Sequence, residues 1–304
     1  MMKPFGLIVL VLGLLIWVGT TIEYGSVYEA LVLLDPTVIA VLLLLQFFTF
    51  ALMARQWMNL IHVRGGQAFW SVMNILFASA FTEGITPSVK FGSEAVKGYM
   101  LRRRFSLGIK SVVETVAAQK IISISALVPF LLVTVWLWWS PREAWLTLAG
   151  VVLLVLLMVG LFSVIRRKHE VLTDWDRRRI FFHYRFSVVI WALFYTKGLL
   201  LSTAMGLDLS LTGVLLAVFV PYMAALIPVT PGGIGTFEAA MVAVLVSLGT
   251  VASTAIVFAV VFRLITFWFG AFVGAGCVFL NLSRGEGKPS SESVQTGHIG
   301  KISV

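Results

Sequence analysis

Apolar residues run along this chain in long blocks, separated by short polar segments. Blocks long enough to cross hydrocarbon as helices, about 17 residues or more, extend over Phe5 to Ile22, Thr37 to Ile61, Ser111 to Trp139, Ala144 to Ile165, Ser187 to Thr203 and Val251 to Leu280. Each predicts a transmembrane helix. Two further apolar regions, Ala68 to Leu101 and Leu211 to Gly249, are interrupted near their middles by Pro, Gly and charge, so neither reads as one straight crossing.

The polar segments set the orientation. Arg102, Arg103, Arg104 and Lys110 precede the third block, and Arg166, Arg167, Lys168, Arg177, Arg178, Arg179 and Arg185 follow the fourth. By the positive-inside rule both segments are cytoplasmic, and the acid-bearing loops with Glu23, Glu29, Asp35 and Asp208 face outward. With six crossings and both termini inside, each broken region enters and leaves on one side. Ala68 to Leu101 dips in from the cytoplasm and Leu211 to Gly249 from outside. The expected fold is an all-α polytopic membrane protein: six transmembrane helices plus two oppositely oriented re-entrant helical hairpins in an inverted repeat.

Composition agrees. Of 304 residues, 59% are hydrophobic and 12% charged, against roughly 25% charged in a soluble domain. The net charge of +9 is explained by where the basic residues sit, as topology signals at the lipid surface, and nucleic acid is excluded as a partner. The N-terminal run resembles a signal peptide in charge and apolar length but has no clear cleavage site, and is read as a retained first helix. The single cysteine, Cys277, lies inside the last block, where it is read as packing. Residues 1–282 form a single transmembrane domain, with repeats 1–139 and 140–282. Residues 283–304, polar and rich in Ser and Gly, read as a disordered cytoplasmic tail.

The repeat is visible at the two interruptions. TPSVKFGSEA, Thr86 to Ala95, aligns without a gap on TPGGIGTFEA, Thr230 to Ala239, at an offset of 144 residues. The same offset carries the first, second and third blocks onto the fourth, fifth and sixth. It also brings Lys120 within one position of Arg263, and Arg55 within two of Lys197.

Broken backbone at membrane depth is tolerated where protein or a watery cavity satisfies it, so the two tips should meet in the interior. Thr86-Pro87 and Thr230-Pro231 are expected to end half-helices. Gly232, Gly233 and Gly235 let the backbone turn or approach a ligand, and the free N–H groups of the following helix can hold an anion. Lys120, Lys197 and Arg263 lie deep in spans, where a charge normally faces the bundle interior. With Arg55, Lys90, Glu94 and Glu238 they make a candidate substrate site: a cationic pocket whose carboxylates set its charge or exchange a proton. The other reading is that Glu83, Glu94, Glu114, Glu238 and the cations pair only to hold the halves together.

PVTPGGIGTFEAAMVAVL, Pro228 to Leu245, resembles the Pro-Gly-Gly-hydrophobic-Gly-x-x-Glu-Ala segment of the lysylphosphatidylglycerol synthase transmembrane region family, also called flippase-like proteins. TPSVKFGSEAVKGYML, Thr86 to Leu101, is similar to that family's earlier Thr-Pro segment, with Ser88 where members often carry Gly. The resemblance covers Phe5 to Leu280. It implies translocation of a lipid with a phosphate headgroup, an aminoacyl-phospholipid or a polyprenyl-phosphate-linked sugar, by alternating access. It also implies a separate lipid-modifying synthase or glycosyltransferase as partner, since the soluble transferase domain of the fused synthases does not occur here. The expected location is the cytoplasmic membrane.

Two other classes stay open: a secondary transporter of a small anionic solute, and a membrane-embedded lipid-modifying enzyme, for which no nucleophile or metal-ligand constellation is seen. No catalytic residue, cofactor or metal is expected. The GGIG segment has no Lys-Ser/Thr ending and follows no strand, so it is not a phosphate loop. His62 and His183 read as interfacial residues, and Trp136, Trp138, Trp139 and Trp145 as an aromatic belt.

Overall fold

The computed structural model describes residues 28, 32, 34–85, 91–138, 177–225 and 230–283. The expected first and fourth spans, most of the tail, and Thr86, Pro87 and Lys90 lie outside the described residues.

Helix α1 (Pro36–Leu60) starts where the second block was expected. Asp35 caps it by accepting from the Thr37 N–H at 2.8 Å, and Pro36 takes a first-turn position where its missing N–H costs nothing. After it come α2 (Gly66–Ile85), α3 (Phe91–Phe105) and α4 (Ile109–Trp138). Helix α5 (Arg177–Ala204) begins ten residues before the expected Ser187. Hydropathy alone missed this extension because its arginines lower the mean, and Arg178 and Arg185 are exposed on it. His183, expected at the interface, is 1% exposed, and its carbonyl accepts from Gln56 of α1 at 3.0 Å.

Next is α6 (Leu211–Ala224), capped by the Ser210 hydroxyl, which accepts from the Gly213 N–H at 3.0 Å. It does not run to Thr230-Pro231 as expected. Pro221 removes an N–H in its last turn, and the helix closes at Ala225, whose N–H returns to the Pro221 carbonyl. A 3₁₀ turn (Pro231–Gly233) leads to α7 (Thr236–Ser247). Last are α8 (Ala252–Arg263), a π turn (Leu264–Trp268) and α9 (Phe269–Ser283).

Four helices end alike, in a left-handed residue followed by an N–H that reaches back five residues, the Schellman geometry. The left-handed residues are His62, Ser106, Gly206 and Gly249. The closing bonds run from Val63 to Met58, Leu107 to Arg102, Leu207 to Ser202 and Thr250 to Leu245.

Helix α2 packs on α1 and α3 and lies along α9; α5 packs on α1, α4, α6 and α8; α6 packs on α7, and α7 on α8. Close approach of α9 to α2 depends on Gly270 and Gly274, which face Phe50, Ala80 and the Phe77 backbone. Two apolar cores result. One gathers Leu201, Val218, Phe219, Phe237 and Phe262 around α5 to α8. The other gathers Trp57, Met58, Met73 and Leu101 around α1 to α3.

Stretches within α1, α4, α5 and α8–α9 are long and apolar enough to cross a membrane. Side chains such as Leu44, Phe48, Trp70 and Phe272 are exposed on the outside, as lipid-facing residues are. The described residues contain no strand. The chain is an all-α membrane protein.

Candidate functional site

Between the two apolar cores lies a cavity of about 230 Å³, lined by residues of α1 to α6, the 3₁₀ turn, Arg263 and the π turn. The end of α2 and the 3₁₀ turn both reach it. Glu83, near the end of α2, and Gly232, in the 3₁₀ turn, are both in its wall, and a Cβ at Gly232 would stand 3.2 Å from the Glu83 carbonyl. Only glycine allows this approach, since Gly232 also has φ 59°.

Glu94, in the first turn of α3, bridges two lysines. Oε2 accepts from Lys97 of the same helix and Oε1 from Lys120 of α4, each at 2.9 Å. Lys97 lies 5.2 Å from the ring centre of Trp57. Around the other turn, Glu238 pairs with Arg263 of α8 at 3.3 Å and accepts from the Gly235 N–H at 2.7 Å. The anion at the start of α7 is thus the protein's own carboxylate, where a ligand was expected. Arg263 also donates to the Gly232 carbonyl and sits between the rings of Phe237 and Phe267, at 4.5 and 4.0 Å.

Gly233 and Gly235 both hold positive φ, 69° and 83°. Thr230 is buried, its hydroxyl 3.5 Å from that of Thr236. Pro231 opens the 3₁₀ turn. Lys197 is wholly buried but does not line the cavity; its ammonium donates to Gln46 and Thr49 and lies over the Phe194 ring. Arg55 is exposed on α1, away from the site expected for it.

Lys97, Gln46, Gln119 and Tyr222 were not foreseen in the cavity wall. Lys97 carried a signal, being three residues beyond Glu94 and so on the same helical face. The lining sets Lys97, Lys120 and Arg263 against Glu83 and Glu94. The expected cationic pocket is in fact a mixed-charge one, in which the cations are already engaged. Breaking such a buried pair typically costs about 3–5 kcal/mol, because the remaining charge is left uncompensated. Among the described residues no group of three or more His, Cys, Asp or Glu could hold a metal ion.

Known proteins bear on this arrangement. A UPF0104 membrane protein of Methanothermobacter thermautotrophicus is 22% identical over 325 residues, covering 91% of this chain and 96% of the relative. UPF0104 membrane protein PH1989 of Pyrococcus horikoshii is 23% identical over 261 residues, covering 70% and 78%. The family described as lysylphosphatidylglycerol synthase TM region matches residues 5–274. Since that match takes in α1 to α8, both turns and every charged group of the cavity, the chain belongs to the lysylphosphatidylglycerol synthase transmembrane region family of multi-pass membrane proteins.

Proposed function

We propose that the protein moves a lipid with a phosphate-bearing headgroup between the leaflets of the cytoplasmic membrane by alternating access. In this reading it is a transporter without a catalytic centre, α2–α3 and α6–α7 are re-entrant hairpins, and the halves are inverted repeats. The observation that carries the reading is the cavity lined by Glu94, Lys120, Gly232 and Arg263, with the first-turn glutamates of α3 and α7 each paired to the cation of the next helix. Glu94 pairs with Lys120 as Glu238 does with Arg263.

The helix ends support the symmetry. An offset of 144 takes the Val63-to-Met58 cap bond onto Leu207-to-Ser202, and an offset of 143 takes Leu107-to-Arg102 onto Thr250-to-Leu245. That one-residue slip between the hairpin tip and its end also brings Lys120 onto Arg263. Size supports the substrate class: about 230 Å³ is below the roughly 300–1,000 Å³ of pockets that enclose drug-sized ligands. A headgroup fits inside, and the apolar chains stay in lipid. A separate synthase or glycosyltransferase then supplies the lipid.

The test is reconstitution without any soluble partner. Lysyl-phosphatidylglycerol, phosphatidylglycerol or a polyprenyl-phosphate-linked sugar should equilibrate across liposomes faster than in protein-free controls, and Lys120→Gln should slow it. If none of the three moves while a water-soluble anion is taken up, the protein is a small-solute transporter.

A further inference from the structure

The two glutamate–cation pairs match in position and differ in what they leave available. Arg263 is spent: it serves Glu238 and the Gly232 carbonyl and is held between two rings, with a side chain only 6% exposed. Glu238 in turn spends its other oxygen on the Gly235 N–H. That pair fixes the second turn to α8. On the other side Lys120 is 35% exposed, and Lys97, Lys120 and Glu94 all line the cavity. Glu94 serves both lysines, one oxygen to each ammonium.

A carboxylate that bridges two ammonium groups presents what two oxygens of a phosphate would present: negative charge and two acceptors at neighbouring positions. Resting on the reading of the cavity as a headgroup site, we infer that Lys97 and Lys120 are its anion subsite, for a phosphate ester, and that Glu94 is a tethered competitor occupying that subsite between ligands. An incoming phosphate exchanges for Glu94, so the lysines are never stripped of a counter-ion, which in a low-dielectric site would be costly. Trp57 beneath Lys97 keeps that ammonium at the wall while the carboxylate is away. Competition lowers affinity and hastens release, as a carrier requires. Arg263 and Glu238 take no part in the exchange.

The proposal is tested by equilibrium dialysis of the purified full chain in non-ionic detergent against inorganic phosphate, glycerol phosphate and dihexanoyl-phosphatidylglycerol. Glu94→Gln should tighten binding of glycerol phosphate and of the short-chain lipid by about tenfold, the equivalent of one displaced charge-assisted contact. Lys97→Gln and Lys120→Gln should each weaken binding by at least about that factor, and Lys97→Arg should retain it. If Glu94→Gln does not yield monodisperse protein, Glu94→Asp carries the test: its carboxyl, one methylene shorter, cannot reach both lysines, and binding should tighten severalfold. Unchanged or weaker binding in the folded Glu94 variants overturns the proposal. So does a gain seen with free phosphates and absent with the lipid. Headgroup binding that follows this pattern without lipid movement in liposomes would sink the flippase reading alone. Lipid movement with no response to Glu94 would sink the exchange alone.

Discussion

The seam between α2 and α9 allows a comparison in which one methyl group meets two different obstacles. At Gly274 an added Cβ would run into the Phe77 carbonyl group, with the carbonyl carbon at 2.6 Å and Phe81 Cβ at 3.0 Å. Normal carbon–carbon contact begins near 3.5 Å, and backbone cannot turn aside, so the helices must part by roughly 0.5–1 Å, a gap that forfeits a quarter to a half of each contact well along the seam. Overpacking of this kind costs about 1–3 kcal/mol, against which Gly→Ala returns up to about 1 kcal/mol of helix propensity. With a rigid backbone obstacle the cost lies at the upper end of that range, and Gly274→Ala should lose about 2 kcal/mol net. At Gly270 the obstacle is the far edge of the Phe50 ring, 2.6 and 3.0 Å away, and a ring can swing. Gly270→Ala should be within about 1 kcal/mol of neutral. Cys277, the chain's single thiol, lies three residues beyond Gly274 and 3.8 Å from Asn74 of α2, so a thiol-reactive fluorophore reports the parting directly. On a heating ramp Gly274→Ala should label about 5 °C earlier than wild type, using roughly 2–4 °C per kcal/mol, and Gly270→Ala within about 2 °C. Equal shifts, or a larger one at Gly270, would refute the idea that backbone contact sets the spacing of this seam.

The turn glycines should also separate. Gly232→Ala meets a left-handed φ together with Phe267 at 2.9 Å and the Glu83 carbonyl at 3.2 Å, so it should lose about 1–3 kcal/mol and slow lipid movement severalfold. Gly235→Ala meets only the φ cost, having nothing within 4 Å, and should keep transport; identical behaviour of the two would show that the close approach of Gly232 to the end of α2 is irrelevant. At the N-terminal end of α1, the Thr37 N–H and hydroxyl hold the exposed Asp35 carboxyl below the usual carboxylate range. A depressed value means the cap's contribution is complete above the ordinary aspartate pKa of about 3.9 and is lost as pH falls through the folded value. The melting gap between wild type and Asp35→Ala should be flat from neutral pH down to about 5 and close below about 4; a gap that widens on acidification counts against the cap.

Block length was enough to place α1 and α4 within about two residues, because spanning hydrocarbon fixes both length and apolarity. Which way a side chain faces was not readable. Arg55 lies as deep in its block as Lys197, which turns inward, yet its neighbours Ala54 and Gln56 are buried and it is exposed. Each residue turns the helix by about 100°, so depth says nothing about facing until the partner helix is known. The offset of 144 does no better for Arg55, which it brings within two positions of the wholly buried Lys197, but it aligns Glu94 with Glu238 and brings Lys120 within one position of Arg263, and these are the residues found in the two ion pairs. It could not bring out Lys97, whose counterpart position holds Met241. The end of α6 was misplaced because a proline marks a missing N–H and not a fixed stop: α6 passes through Pro221 and ends at Ala224, before Thr230-Pro231.

Lys197 shows how a buried charge can serve the site from outside it. Its ammonium donates to the Gln46 side-chain oxygen, and the Gln46 amide donates to the Thr266 carbonyl at 3.1 Å. Thr266 lies in the π turn directly after Arg263, and a π turn shifts the register of the helix hydrogen bonds, so its carbonyls are where outside donors attach. A neutral glutamine could make the second bond by itself. A glutamine whose oxygen is held by an ammonium is both more polarised and fixed in orientation, with the amide aimed at Thr266. Lys197 therefore steadies the helix just past Arg263, and through it the guanidinium that ties α8 to Gly232 and Glu238. The two charged residues that membrane depth made look equivalent, Lys120 and Lys197, thus do different work. One faces the cavity with its ammonium on Glu94, and the other stands behind the wall and holds the second turn in place.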